Sequence, residues 1–142
     1  MSTLKDNSVI VIAGYAGSGK TEFILKMLAN GWLECDNLYY FSVHARNDPK
    51  AICLNELLTN VITNGGFVSD SVNDLHDLQL DATKKNLVII DEFPKADISK
   101  VANIIVSRKV NNCSIIFTCQ SEKLCDLPTV VRSKATYVFT LR

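Results

Sequence analysis

The chain has 142 residues, 47% of them hydrophobic, which suits one domain over residues 1–142 with a real core and leaves no room for a second. Its 15 lysines and arginines balance 15 aspartates and glutamates, so composition does not point to a strongly basic nucleic-acid module, though a local basic loop stays open. No apolar stretch reaches membrane-spanning length and Met1–Asn7 has no signal-peptide apolar region, so the expectation is an intracellular protein without a membrane partner.

Ser8–Ala13, rich in β-branched residues, reads as a fully buried strand. The stretch Gly14–Thr21, "GYAGSGKT", follows it directly. Lys20–Asn30 then reads as a helix with Phe23, Ile24, Met27 and Leu28 on one face, stopped at Gly31, with Trp32 packing just beyond. Leu38–Val43 is a second strand, and His44–Asn47 a polar loop at its end. Asp48-Pro49 looks like an N-cap and a first-turn proline. Leu54, Leu57, Leu58 and Val61 give that helix its stripe, and Asn64-Gly65-Gly66 ends it.

Over Asp70–Asp81 the residues Val72, Leu75 and Leu78 keep helical spacing, and Asp74, His76 and Asp77 read as a solvated acidic face rather than a metal cluster. Leu87–Ile90 is a third buried strand. Ile98, Val101, Ala102 and Ile105 mark a helix that begins near Ala96, with Lys95 and Lys100 as surface lysines. Ser114–Cys119 is a fourth strand, Leu127–Ser133 a short helix and Thr136–Leu141 a fifth strand. Strands alternating with helices predict an α/β fold with a parallel sheet covered on both faces. The five cysteines, Cys35, Cys53, Cys113, Cys119 and Cys125, lack CxxC spacing and read as reduced, mostly buried thiols.

"GYAGSGKT" satisfies G-x-x-x-x-G-K-[ST] between a predicted strand and a predicted helix, the setting in which that pattern cradles phosphate. The backbone from Gly14 through Tyr15, Ala16, Gly17, Ser18 and Gly19 would turn its N–H groups inward, and the helix N-terminus would add partial positive charge. Lys20, exposed in a loop built for phosphate, should reach the β- and γ-phosphates of ATP, and the Thr21 hydroxyl should sit on Mg²⁺. Asp91, at the carboxyl end of the third strand, is placed to hold the same Mg²⁺. Glu92 follows at once and suits water activation, hence hydrolysis. The fourth strand ends in Thr118-Cys119-Gln120, and this polar end would lie between the phosphate loop and Asp91-Glu92 if the strand is central, with Gln120 reporting the γ-phosphate or holding the water.

With "GYAGSGKT", "LVIIDEF" and "SIIFTCQ" in that order, the chain resembles the FtsK/HerA superfamily of P-loop ATPases, and within it the viral genome-packaging ATPases of poxvirus and polinton type. The closing "LPTVVRSKATYVFTLR" is similar to the segment in which that family places an arginine before a final strand. The resemblance implies a RecA-like core with a five-stranded sheet in the order 5-1-4-3-2 and helices on both faces. It implies a homo-oligomeric ring of five or six subunits that moves double-stranded DNA with ATP and Mg²⁺, with capsid or portal proteins as further partners. By position, Lys20, Thr21, Asp91, Glu92 and Gln120 would carry the nucleotide roles and Arg108 would be the trans-acting arginine finger, with Arg132 the second choice; Arg108 equally suits a plain helix-end cation, since it falls in the final turn of its helix.

Two other classes stay open: a small P-loop kinase or transferase, against which Glu92 and Gln120 argue, and a nucleotide-dependent assembly switch. Viral superfamily 1 helicases share the phosphate loop and acidic pair, but are set aside here because they need further motifs and usually more chain.

Overall fold

In the computed structural model, residues 4–15, 17–42, 56, 65–91, 98–120 and 128–141 are described. The predicted helix after Asp48-Pro49, the His44–Asn47 loop, Lys95, Ala16 and Glu92 lie outside them.

Strands β1 (Val9–Ala13), β2 (Asn37–Ser42), β3 (Gly65–Ser69), β4 (Asn86–Asp91), β5 (Cys113–Cys119) and β6 (Tyr137–Thr140) form one sheet in the order β3-β2-β4-β5-β1-β6. Every pairing is parallel. Helices α1 (Lys20–Ala29), α2 (Val72–His76), α3 (Ile98–Val106) and α4 (Thr129–Lys134) connect them among the described residues.

Successive side chains of each strand point to opposite faces of the sheet, as the pleat requires. Val9, Val11, Phe41, Val88, Ile90 and Ile115 face Leu75 of α2, Val101, Ile104 and Ile105 of α3, and Val131 of α4. Ile10, Ile12, Leu38, Tyr40, Leu87, Ile89 and Ile116 face Ile24, Met27 and Leu28 of α1. Two covered faces explain the near-continuous apolar runs of β1 and β4. Helix α1 ends in a Schellman motif: the Gly31 N–H donates to the Leu28 carbonyl at 3.2 Å and the Trp32 N–H to that of Met27 at 3.0 Å. Trp32 then packs edge-on against Phe23.

Among the described residues the sheet has six strands, where five in the order 5-1-4-3-2 were expected. The addition is β3, an edge strand beyond β2, and the remaining five run β2-β4-β5-β1-β6. The glycine pair read as a helix stop instead opens this strand. A Cβ on Gly66 would lie 1.8 Å from the Leu38 carbonyl oxygen, so only glycine lets the two backbones approach. Beyond the pair, Phe67 packs against Tyr39 and Phe41.

The amino edge of the sheet is pinned by Asn86, which is buried. Its Nδ2 donates to the carbonyls of Asp81 at 2.9 Å, Lys84 at 3.1 Å and Asn111 at 3.1 Å, while its Oδ1 accepts from Asn37 at 3.3 Å. Asn86→Ala removes these part-buried bonds, and urea unfolding should show a loss of about 1–3 kcal/mol.

Burial pushes the Cys113 thiol up to about 12, and burial with the nearby Asp36 carboxylate pushes Cys35 up to about 11, from an ordinary value of 9.0. Both groups hold their protons more tightly folded than unfolded. Their contribution to stability is therefore full below pH 9.0 and is lost as pH rises from there toward 11–12. Thermal melts should fall across that window, and Cys113→Ala should flatten the fall.

Candidate functional site

Because every strand runs the same way, the last residues of β1, β4 and β5 share one edge, and the stretch after β1 crosses it. Backbone bonds seat this loop: the Gly14 N–H donates to the Cys119 carbonyl at 3.1 Å, and the Leu141 N–H to that of Ala13 at 2.8 Å. The loop turns back on itself where the Ser18 N–H meets the Tyr15 carbonyl at 3.0 Å. Gly17 and Gly19 take φ of 80° and 89° with little within 4 Å of where a Cβ would be, so it is the left-handed backbone that demands glycine there.

Gly19 is also the N-cap of α1, and it brings no side chain to cap the first N–H groups of the helix. Lys20 is not the exposed side chain expected from the sequence. It is 6% exposed, and its Nζ donates to the carbonyls of Gly14 at 2.8 Å and Tyr15 at 3.2 Å. Folding the amine under the loop satisfies a cation that the wrapped backbone would otherwise bury alone. Beside it the Ser18 Oγ is buried, with no hydrogen-bond partner among the described residues. Tyr15, at 63% exposed, stands outward from the loop.

Asp91 ends β4 on the α1 side and is 6% exposed. Its Oδ1 accepts from the Thr118 hydroxyl at 2.6 Å, and its Oδ2 from the phenol of Tyr40 and from the Thr21 hydroxyl at 3.4 Å. The site thus joins Lys20 and Thr21 on α1 to Asp91 on β4. It adds Tyr40 on β2, which the motif reading passed over, and Thr118 on β5, part of the polar strand end expected between the loop and Asp91. Gln120 lies exposed one residue past Cys119, whose carbonyl holds the loop.

The donor set suits a magnesium–nucleoside triphosphate. An uncapped helix start, a buried ammonium, a Ser18 hydroxyl with no partner among the described residues and a hydroxyl–carboxylate pair at Thr21 and Asp91 meet on one edge. Lys20 and the loop N–H groups would hold the phosphates; Thr21 and Asp91 would hold the cation, which would draw charge off the phosphate oxygens. Among the described residues no cluster of three or more His, Cys, Asp or Glu could hold a metal by itself. Asp74, within the acidic face, instead accepts from Ser69 Oγ at 2.5 Å. No helix among the described residues is long and apolar enough to cross a membrane.

Arg108 is not gathered with this site. It lies just past the end of α3, where its Nε donates to the Asn7 carbonyl at 2.9 Å and its Nη1 to that of Ile105 at 2.8 Å. Asn7 precedes β1, so the length of that strand, on the order of 20 Å, separates Arg108 from the loop of its own chain. These bonds cap α3 and tie it to the amino edge. Arg108→Ala should cost about 1–3 kcal/mol of stability in denaturant. If hydrolysis by the folded variant instead drops by roughly three to five powers of ten, Arg108 acts as a finger on a neighbouring subunit. Arg132 is exposed on α4 and donates to Thr129 Oγ1 at 3.3 Å.

Residues 10–135 match the family described as the viral superfamily 1 RNA helicase core domain. No curated protein matches the chain. Among solved structures, a chain of the E. coli MS115-1 HORMA:CdnC:Trip13 complex aligns at 14% identity with a TM-score of 0.49, over 97% of this chain and 45% of that one. This chain therefore spans less than half the length of that relative.

Proposed function

Since the chain belongs to the viral superfamily 1 RNA helicase core domain family, we propose that it is the nucleotide-hydrolysing core of a motor acting on RNA. The family match supports a helicase class that the sequence reading had set aside, and it lends nothing to the FtsK/HerA packaging group. The observation that carries the reading is the Thr21–Asp91 pair at 3.4 Å, beside a loop that holds a buried lysine ammonium.

In this reading the loop and Lys20 bind the β- and γ-phosphates of ATP, and Thr21 and Asp91 face Mg²⁺. Glu92, next in the sequence, orients the attacking water, and Gln120 contacts the γ-phosphate region. The sheet is read as a RecA-like core. Glu92→Gln should bind ATP·Mg²⁺ normally and hydrolyse it about 10²–10⁴-fold more slowly, as single-turnover kinetics would record.

The test of the function is the hydrolysis rate with single-stranded RNA, with duplex DNA and with neither. Stimulation by RNA supports the helicase core. Stimulation by duplex DNA alone, in a ring of five or six subunits, would return the packaging motor with its capsid or portal partners. Hydrolysis indifferent to both would leave a nucleotide-timed switch, and stoichiometric phosphorylation of an acceptor would make the chain a kinase.

A further inference from the structure

Asp91 is held from three elements at once. Tyr40 stands opposite Ile89 in the parallel register of β2 and β4, and Ser42 stands opposite Asp91. The Tyr40 ring therefore runs along one two-residue step of strand, about 6.6 Å, to bring its phenol to the Asp91 carboxylate. The side chain is 2% exposed and packed among Leu38, Leu87 and Ile89, where a phenylalanine would serve the core equally well. What phenylalanine lacks is the hydroxyl, and a buried phenol needs a partner. On the other side β5 presents Thr118, also 2% exposed, whose hydroxyl reaches the second carboxylate oxygen at 2.6 Å.

We propose that Tyr40 and Thr118 are positioning residues that fix the Asp91 carboxylate for Mg²⁺, one from each neighbouring strand. The proposal rests on the reading of Asp91 as the magnesium-facing acid. Donors from two strands of a rigid sheet leave the carboxylate one orientation. The bond to Thr21, the longest of the three at 3.4 Å, is the one on the phosphate-loop side. Donors behind a metal ligand govern how well it binds, and removing one commonly costs 10–100-fold in metal affinity.

The test is calorimetric titration with a non-hydrolysable ATP analogue, with and without Mg²⁺, alongside the Mg²⁺ dependence of hydrolysis. Tyr40→Phe and Thr118→Val should each keep the magnesium-free affinity and lose about 10–100-fold in apparent Mg²⁺ affinity. Turnover at saturating Mg²⁺ should recover most of the wild-type rate, and Thr118→Ser should restore the Mg²⁺ dependence. Wild-type Mg²⁺ dependence in folded Tyr40→Phe and Thr118→Val would overturn the positioning role alone. A wild-type chain whose analogue affinity ignores Mg²⁺ would overturn the reading of Asp91 as the magnesium-facing acid and this role with it. Should Tyr40→Phe fail to fold, the contrast between Thr118→Val and Thr118→Ser decides by the same measurement.

Discussion

Lys20→Ala is expected to bind ATP at least about a hundredfold more weakly than the wild-type chain. The ammonium is the cation beside the loop, and each charge-assisted hydrogen bond it would make to phosphate contributes about 1.5–3 kcal/mol. Two such bonds, to the β- and γ-phosphates, amount to about 3 kcal/mol or more, and every 1.4 kcal/mol is tenfold in affinity. Without nucleotide the amine bonds the carbonyls of Gly14 and Tyr15, so the substitution also releases two ties within the loop. It removes a buried cation at the same time, and the two effects oppose each other. Stability should thus move by no more than about 1–2 kcal/mol. Isothermal titration with ATP, paired with urea unfolding, separates the two. Wild-type affinity in a folded Lys20→Ala chain would sink the phosphate-loop assignment.

Asp91→Asn should leave the fold in place and reduce magnesium-dependent hydrolysis by at least about a hundredfold. The carboxylate accepts three hydroxyls, and asparagine keeps one acceptor oxygen while offering an NH₂ group in place of the other. The hydroxyls of Thr21, Tyr40 and Thr118 can each turn to accept, so the hydrogen bonds rearrange without an orphan. The negative charge has no such substitute, and it is the charge that a divalent cation needs. Raising Mg²⁺ should not restore the rate, in contrast with Tyr40→Phe. A rate within threefold of wild type would mean that Asp91 is only a strand-end acid.

The phosphate loop was legible because its pattern is fixed by backbone chemistry: glycines where φ is positive, lysine and threonine where a helix begins. Strands β1, β4 and β5 were legible because both of their faces are covered, which writes uninterrupted apolar runs. Strand β3 was not, since two of its five residues are glycines selected by contact with the β2 backbone, and local propensity carries no trace of that contact. Tyr40 left a signal that went unread. Alternation puts it on the face of Leu38, two positions short of the level of Asp91, but a tyrosine inside Leu-Tyr-Tyr-Phe reads as an ordinary core aromatic. The bonds of Arg108 were hidden because Asn7, its partner, lies 101 positions away. The packaging resemblance reached further than its residues, and the family match supports only the helicase-core family. A phosphate loop, an acidic strand end and a glutamine strand end answer to the chemistry of the triphosphate, which unrelated motors share, and they carry little about the polymer being moved.

Strand β1 bears the loop, yet both of its neighbours come from the far end of the chain. Ser8 meets Ser114 across 106 positions and Val9 meets Thr136 across 127. Strands β2, β3 and β4 adjoin one another and lie close in sequence, whereas β1 sits between β5 and β6, both distant from it along the chain. Contacts this distant in sequence slow folding, because a long loop must close before they form. The Gly14–Cys119 bond that seats the loop spans 105 positions and cannot form before β5 is in place. The seat of the loop therefore forms only once β5 has joined β1 in the sheet.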